Sequence, residues 1–460
     1  MTDATRLPRA LRPFSSGQYR LLTIALAASL LSAGAWIVAA VWQVVQLGGT
    51  PIDLSFVAVG SSLGLVLAVL FGGVAADRIP QRRILLVVEI VRGTGFAIAG
   101  FLAVTGIVEV WHLAVISFVL GLADGFFYPA YSAWLPSILP ESQLLAANGV
   151  EGVLRPAAMN AAGPALASLL IAVQGPWLAF FVVAVLQVVA VVVLAAMRTT
   201  PVRRDPDEVV SHPVRQTFID LRDGFAYLLR TRWLFATLVF SILLVFVLMG
   251  PIEVLLPFAV KDQTGGGAGA FALALAAFGV GGAIGSIAVA SMRLPRRYLT
   301  LMILAWGFGG LPLAVIGLTS WLWVMVVALF ICGLLFSGAS VVWGTLLQRR
   351  VPPSMLGRVS SLDFFVSLAL MPISMAVAGP VGESIGLAPA FLIAGLVGPV
   401  LAIATLAFAR LGKDELAHPL DGMVDSEPVT GGEASARLEP PVDEPHPRRE
   451  LRPRTDPEPG

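Results

Sequence analysis

A chain of 460 residues that is 57% hydrophobic and only 13% charged is too apolar to cover a water-facing surface, because soluble proteins run at about 45–50% apolar and about 25% charged. Together with a mean hydropathy of +0.86, this excludes a soluble enzyme and predicts a polytopic membrane protein. The single cysteine, Cys332, excludes a disulfide framework and a cysteine-ligated metal site, and the net charge of +1 conceals an uneven placement of charge.

A membrane-spanning helix needs about 20 mostly apolar residues. Twelve stretches meet that requirement: 21–45, 52–75, 84–104, 112–133, 148–172, 177–197, 233–258, 270–291, 299–317, 322–346, 360–382 and 388–410. The runs are continuous rather than alternating. They therefore predict helices, which satisfy their own backbone in lipid, and not barrel strands. Ser32-Ala33-Gly34-Ala35 resembles a small-residue cleavage site, but the apolar run around it exceeds the roughly 7–15 residues of a signal h-region. It is read as the first span.

Lysine and arginine set the orientation, because they concentrate in cytoplasmic loops. Arg6, Arg9, Arg12 and Arg20 precede the first span, and Arg78, Arg82 and Arg83 follow the second. Seven arginines lie between Arg198 and Arg232, followed by Arg293, Arg296 and Arg297, then Arg349, Arg350 and Arg358. The alternate loops hold only Lys261. Both termini are expected in the cytoplasm.

Residues 198–232 are polar and arginine-rich and divide the chain into two halves, 1–197 and 233–411, of six spans each. Residues 412–460 are rich in proline and glutamate, have few large apolar residues, and are expected to be a disordered cytoplasmic tail. The halves read as distant copies. Asp77-Arg78-Ile79-Pro80-Gln81-Arg82-Arg83 is matched by Met292-Arg293-Leu294-Pro295-Arg296-Arg297, and the stretch from Leu135-Pro136 through Pro140 to Asn148-Gly149 by Leu347 through Val351-Pro352 to Leu356-Gly357-Arg358. An even number of spans per unit makes the copies parallel, as in one large class of secondary transporter with its substrate site between the halves.

Gly73-Val74-Ala75-Ala76-Asp77-Arg78-Ile79-Pro80-Gln81-Arg82-Arg83 resembles the loop 2–3 signature of the major facilitator superfamily, Gly-x-Leu-x-Asp-Arg-x-Gly-Arg-Arg. Ala75 replaces the leucine and Pro80-Gln81 the Gly-Arg. Tyr128-Pro129-Ala130, Leu135-Pro136 and Ala146-Ala147-Asn148 are similar to the drug–proton antiporter branch that includes bacterial macrolide-efflux and siderophore-export proteins. Gly163-Pro164-Ala165-Leu166-Ala167-Ser168 resembles that branch's helix 5 motif Gly-Pro-x-x-Gly-Gly, with Ala167-Ser168 in place of the two glycines. The resemblance covers roughly residues 15–410. It implies an all-α fold of twelve transmembrane helices in two parallel six-helix repeats, in a bacterial inner membrane. It also implies proton-coupled export of small lipophilic molecules by alternating access, or alternatively dedicated export of a siderophore or other metabolite. A non-transporting sensor of the same fold is a further alternative. The expected partners are a small-molecule substrate, protons and the bilayer, with a monomeric protein, no nucleic acid and no cofactor.

The resemblance makes Asp77 a charge latch between conformations, with Arg78, Arg82 and Arg83 as its companions; as plain positive-inside residues the arginines need no such role. Gly163 and Pro164 would bend helix 5 or seal it against the other half, or simply permit tight packing. Ionisable residues inside spans are functional candidates because each is costly there. Glu89 and Arg92, three apart, are expected to pair near the inner surface, as are Glu151 and Arg155, four apart in the favourable order. Glu151 corresponds in the repeat to Asp363, which predicts matched inner-gate or interhelix pairs. Asp124 has no cation at i±3 or i±4 and lies about half-way across the fourth span. A desolvated carboxylate favours its neutral form and can bind and release a proton. Asp124 is therefore the leading proton-coupling candidate, or else a carboxylic acid paired with a polar neighbour elsewhere in the chain, and Glu253, after Gly250-Pro251, is the second candidate. In the family fold the first, fourth, seventh and tenth helices line the cavity. There Trp36, Gln43, Phe127, Phe246 and Phe336 are candidates to contact a lipophilic substrate, or to serve as ordinary membrane-helix packing.

No Gly-x-x-x-x-Gly-Lys-Ser/Thr pattern is present, so ATP is not expected to drive the protein by itself. His112, His212, His418 and His446 lack metal-ligand spacing, and Gly265-Gly266-Gly267 reads as a turn rather than a phosphate loop. No catalytic constellation is legible, and the chain is not expected to be an enzyme.

Overall fold

The computed structural model describes residues 9–199, 222, 225–292, 294–352, 355, 359, 362, 363, 365 and 367–419; the side chains of 9, 10, 70, 73, 74, 76, 77, 141 and 145 lie outside that set. Among the described residues there are helices and no strands. Twelve of the helices are long and apolar enough to cross a membrane, and the protein is a multi-pass membrane protein.

After a 3₁₀ turn, Arg9–Ser15, the first half contains α1 (Gly17–Gln46), α2 (Pro51–Arg78), α3 (Gln81–Val104), α4 (Val110–Ile138), α5 (Ser142–Gln174) and α6 (Pro176–Ala196). The second contains α7 (Arg232–Thr264), α8 (Ala268–Ser291), α9 (Tyr298–Leu318), α10 (Leu322–Arg350), α11 (Ser367–Ile385) and α12 (Leu387–Ala409). A short α13, Leu411–Ala417, follows.

Local chemistry sets the boundaries. The Ser16 hydroxyl accepts from Tyr19 N–H and starts α1. Pro51 opens α2 behind a capping box in which the Thr50 N–H donates to Asp53 Oδ2 at 2.8 Å. The α5–α6 and α11–α12 turns use the same device at the same place in each half: Gly175 (φ 94°) and Gly386 (φ 88°) adopt a backbone that favours glycine.

The packing repeats as well. The most extensive helix pairs are α2–α4 in the first half and α8–α10 in the second. These crossings depend on small residues; a Cβ added at Gly125 on α4 would stand 2.6 Å from the Ala68 Cβ on α2. Arg-rich loops gather at one end of the bundle. At the opposite end the halves are tied together. The Ile52 N–H donates to Glu383 Oε1 at 3.1 Å, the Gly379 N–H donates to Ser55 Oγ at 2.9 Å, and Trp42 stacks on Phe271.

Residues 412–417, expected to be disordered, are helical instead. α13 docks through Leu411 and Glu415, both fully buried. Glu415 accepts from the Thr300 N–H at 3.0 Å and from Thr300 Oγ1 at 2.6 Å, so it caps the first turn of α9. Arg350 at the end of α10 donates to Asp414 at 2.7 Å. Two anchoring residues in a polar stretch leave no periodic signal. Residues 420–460 and most of the 198–232 linker lie outside the described residues.

Candidate functional site

Helical spacing puts Glu89 and Arg92 on one face of α3. Arg92 is buried and reaches three elements. Its Nε donates to Asp124 Oδ1 on α4 at 3.0 Å, its Nη2 makes a second bond to the same oxygen, and its Nη1 donates to Ser29 Oγ on α1 at 2.6 Å. Glu89 Oε1 stands 3.6 Å from Nη1. The Phe127 ring lies 4.7 Å from the guanidinium carbon. Ser29, Arg92 and Asp124 each sit near the middle of their helices.

One expectation is thereby corrected: Arg92 is not an inner-surface residue but lies half-way along α3. Asp124 has no cation on its own helix, as expected, and is paired by one from a neighbouring helix, which helical spacing within α4 cannot reveal. The cluster holds two carboxylates and one guanidinium.

Asp124 remains open on one side to a cavity of about 260 Å³. Trp36, Arg92 and Ser117 line that cavity from the first half, and Glu253, Met371 and Met375 from the second. Glu253 lies in a π-helical turn of α7, Pro251–Leu255. Proline there removes a backbone donor, and Ser374 on α11 repairs the ladder. Its hydroxyl donates to the Phe246 carbonyl at 2.6 Å and accepts from the Gly250 N–H at 2.8 Å. The turn brings the Glu253 carboxylate to the cavity wall. Both proton-coupling candidates therefore face one space.

Of the expected cavity aromatics, Trp36 lines the space and packs between Phe96 and Phe180, each with ring centroids 5.2 Å away. Phe127 backs Arg92. Gln43, Phe246 and Phe336 are not part of the lining; Gln43 is buried in α1, and Phe336 supplies the carbonyl that accepts from Trp306 Nε1.

The latch candidates divide. Arg82 caps the C-terminus of α6, donating through Nε to the Leu194 carbonyl at 3.0 Å, through Nη2 to Ala195 O, and through Nη1 to Thr199 Oγ1 at 3.1 Å. Arg78 and Arg83 are exposed. The Asp77 side chain lies outside the described residues. Glu151 and Arg155 pair within α5 at 2.8 Å, and Arg155 stands over Tyr128. Asp363 accepts from Trp343 Nε1 on α10 at 3.0 Å. Each of these contacts stays inside its own half.

Gly163 packs on α1, where a Cβ would stand 2.6 Å from Leu31 O, and Pro164 is buried. The bend precedes them, as a π-helical segment over Pro156–Ala162. α5 meets α8 of the other half both at that bend, where Asn160 packs against Gly279, and along the Gly163–Gln174 segment that follows it.

Sequence reasoning missed Ser29, Asn160 and Gln187. Gln187 is 1% exposed within α6, and neither of its amide atoms makes a hydrogen bond of good geometry. A lone glutamine in a run of valines was the available signal.

The family model described as "Transmembrane secretion effector" matches residues 9–425. Macrolide efflux protein A of Streptococcus pyogenes is 26% identical over 383 residues, 82% of this chain and 92% of that protein. Multidrug efflux pump Tap of Mycolicibacterium fortuitum is 25% identical over 406 residues, 86% and 97% of the two chains. Among solved structures, the nucleoside transporter NupG superposes with a TM-score of 0.66 at 13% identity, over 84% of this chain and 98% of that one. A bacterial homologue of the human lysosomal transporter Spinster, in an inward-facing and unoccupied conformation, gives 0.62 at 15%, over 87% and 97%. These superpositions show the fold, that of major facilitator transporters.

Proposed function

The chain belongs to the transmembrane secretion effector family, and on that premise we propose that it is a proton-coupled exporter of small lipophilic molecules. The efflux proteins among its relatives support the direction of transport. The single observation that carries proton coupling is that Asp124 and Glu253, one from each half, line the same cavity between the halves. An intramembrane carboxylate open to a transport cavity is suited to exchange its proton for substrate.

The arginine-rich end lies in the cytoplasm of a bacterial cell, by the positive-inside asymmetry. The contacts of Ser55 and Glu383 then close the extracellular side, and this conformation is the one that loads from within. Proton binding at the cavity acids favours the return of the empty carrier. The two six-helix halves rock about the cavity, exchanging the far-end contacts for contacts at the arginine-rich end.

The test is uptake of ethidium, a lipophilic cation, into inside-out vesicles energised with a proton gradient. Uptake that collapses on adding an uncoupler is the expected result. Uptake that ignores the uncoupler overturns proton coupling. An inert protein across a panel of lipophilic cations, macrolides and siderophores overturns export and favours a sensor.

A further inference from the structure

α3 and α6 are peripheral helices whose extensive contacts all lie within their own half. Between them, on the membrane-facing side, runs a groove of about 640 Å³. Its rim is apolar, with Ile98, Phe101 and Val188 all more than 45% exposed to the surroundings. Its floor is polar. Glu89 and Gln187 line it, each 1% exposed, and Glu89 Oε2 and both Gln187 amide atoms lack a hydrogen-bond partner of good geometry.

Two carboxyl groups and one guanidinium meet at that floor. Facing Glu89 are Arg92 on its own helix, Ser29 on α1, Asp124 on α4 and Gln187 on α6. Arg92 directs two of its bonds to Asp124 and a third to Ser29. One guanidinium therefore serves two carboxylates, and the buried Glu89 Oε2 is left without a donor of good geometry. Buried polar atoms of this kind are costly unless a partner arrives. A cation with hydrogen-bond donors would supply that partner, and the groove gives it an approach from the lipid side. Glu89 is about 12 Å along α3 from its first residue, at about 1.5 Å per residue. That is too deep for the headgroup of a resident phospholipid.

We propose that the α3–α6 groove is a lateral binding site for amphiphilic amines dissolved in the bilayer, with the ammonium on Glu89 and Gln187 and the apolar tail along Ile98, Phe101 and Val188. The site deepens the efflux reading by naming a route of entry and a charge class, and it rests on that reading for its biological use. Gln187 also lines the central cavity, so a single layer of side chains separates an amine held here from Asp124. The nonpolar rim sorts by solubility in lipid, and the floor sorts by charge.

The experiment uses the full chain in nanodiscs and two photoreactive probes with the same diazirine-bearing alkyl tail, one ending in a primary amine and one in an alcohol. Labelled peptides are mapped by mass spectrometry. The amine is expected to label the rim segments 90–101 and 185–191 at least about ten-fold more than the alcohol, the ratio that 1.4 kcal/mol supplies. Glu89→Gln is expected to bring the two probes level. Ala97→Leu fills the groove from the lipid side while leaving Glu89 in place, and is expected to abolish labelling by both. Equal labelling by amine and alcohol in the wild type overturns the proposal, as does an amine preference that survives Glu89→Gln or labelling that survives Ala97→Leu. Labelling is read without transport. Amine occupancy in a protein that fails the vesicle assay leaves this site standing and removes export, and the reverse result does the opposite.

Discussion

The two halves share helix order, the close pair of small-residue crossings and the glycine turn before their last helix, but they distribute charge differently. The first half joins Arg92 and Glu89 of α3 to Asp124 of α4 in the middle of the bundle, with Ser29 of α1 bonded to Arg92. The second half keeps its network at the arginine-rich end, where α13 brings Asp414 to Arg350 and Glu415 to Thr300, with the Arg350 guanidinium 4.5 Å from the Trp233 ring. Within the membrane it contributes Glu253 to the cavity wall. The two halves thus differ in that the first carries an ion-paired cluster within the membrane and the second is fastened at its edge.

Removing the cation at the centre tests the first side of that contrast hardest. Arg92→Leu leaves the buried Glu89 and the half-exposed Asp124 without their partner, and stranding a buried carboxylate in this way typically costs about 3–5 kcal/mol. The expected outcome is a purified protein with a sharply lower melting temperature, or one that does not accumulate in the membrane. A stable Arg92→Leu protein would mean that the cluster is not what holds α1, α3 and α4 together.

The second side is tested by Glu415→Ala. It strands the Thr300 donors at the start of α9, with an expected loss of about 1–3 kcal/mol. Thermal unfolding of the detergent-solubilised protein reads the loss. An unchanged melting curve would reduce α13 to an ornament of the fold.

The tie between halves is sharpened by Gly379→Ala. The added Cβ would stand 2.5 Å from the Pro51 carbonyl oxygen and from Ser55 Oγ. Overpacking of this kind costs about 1–3 kcal/mol, here charged against the conformation closed at the far end. Spin labels on the α3–α4 and α7–α8 loops are expected to move apart on average, with little change in overall stability. Unmoved distances would place the far-end closure elsewhere.

The smallest expected effect is that of Arg82→Ala. It removes a C-terminal cap from α6 and is expected to cost about 1 kcal/mol, visible as a small drop in melting temperature. A transport defect without a stability change would return Arg82 to the conformational latch.

The twelve spans were legible because each is a long, predominantly apolar run, and burial in lipid leaves such runs no other fold. The Glu89–Arg92 pair was legible because helical spacing fixes it. The Asp124–Arg92 bond was not, because the partners are on different helices and helix packing alone brings them together. Pro251 announced a break in α7, but not that Ser374 would mend it and present Glu253 to the cavity. Gly163-Pro164 announced close packing, but not that Gly163 would meet α1, which depends on the path of the bend at Pro156–Ala162. α13 was hidden for the opposite reason. Its anchor, Glu415, reads as one more acidic residue in a polar tail until Thr300 is seen above it.

The measurement that reaches the central claim most directly is gradient-driven ethidium uptake into inside-out vesicles, with wild type compared with Asp124→Asn, Glu253→Gln and the double variant at matched protein levels. The expected result is uptake in the wild type that is lost in Asp124→Asn and in the double variant, and weakened in Glu253→Gln. Uncoupler-sensitive uptake at the wild-type rate in the double variant would contradict it, because the proton would then travel by a path that neither cavity acid supplies.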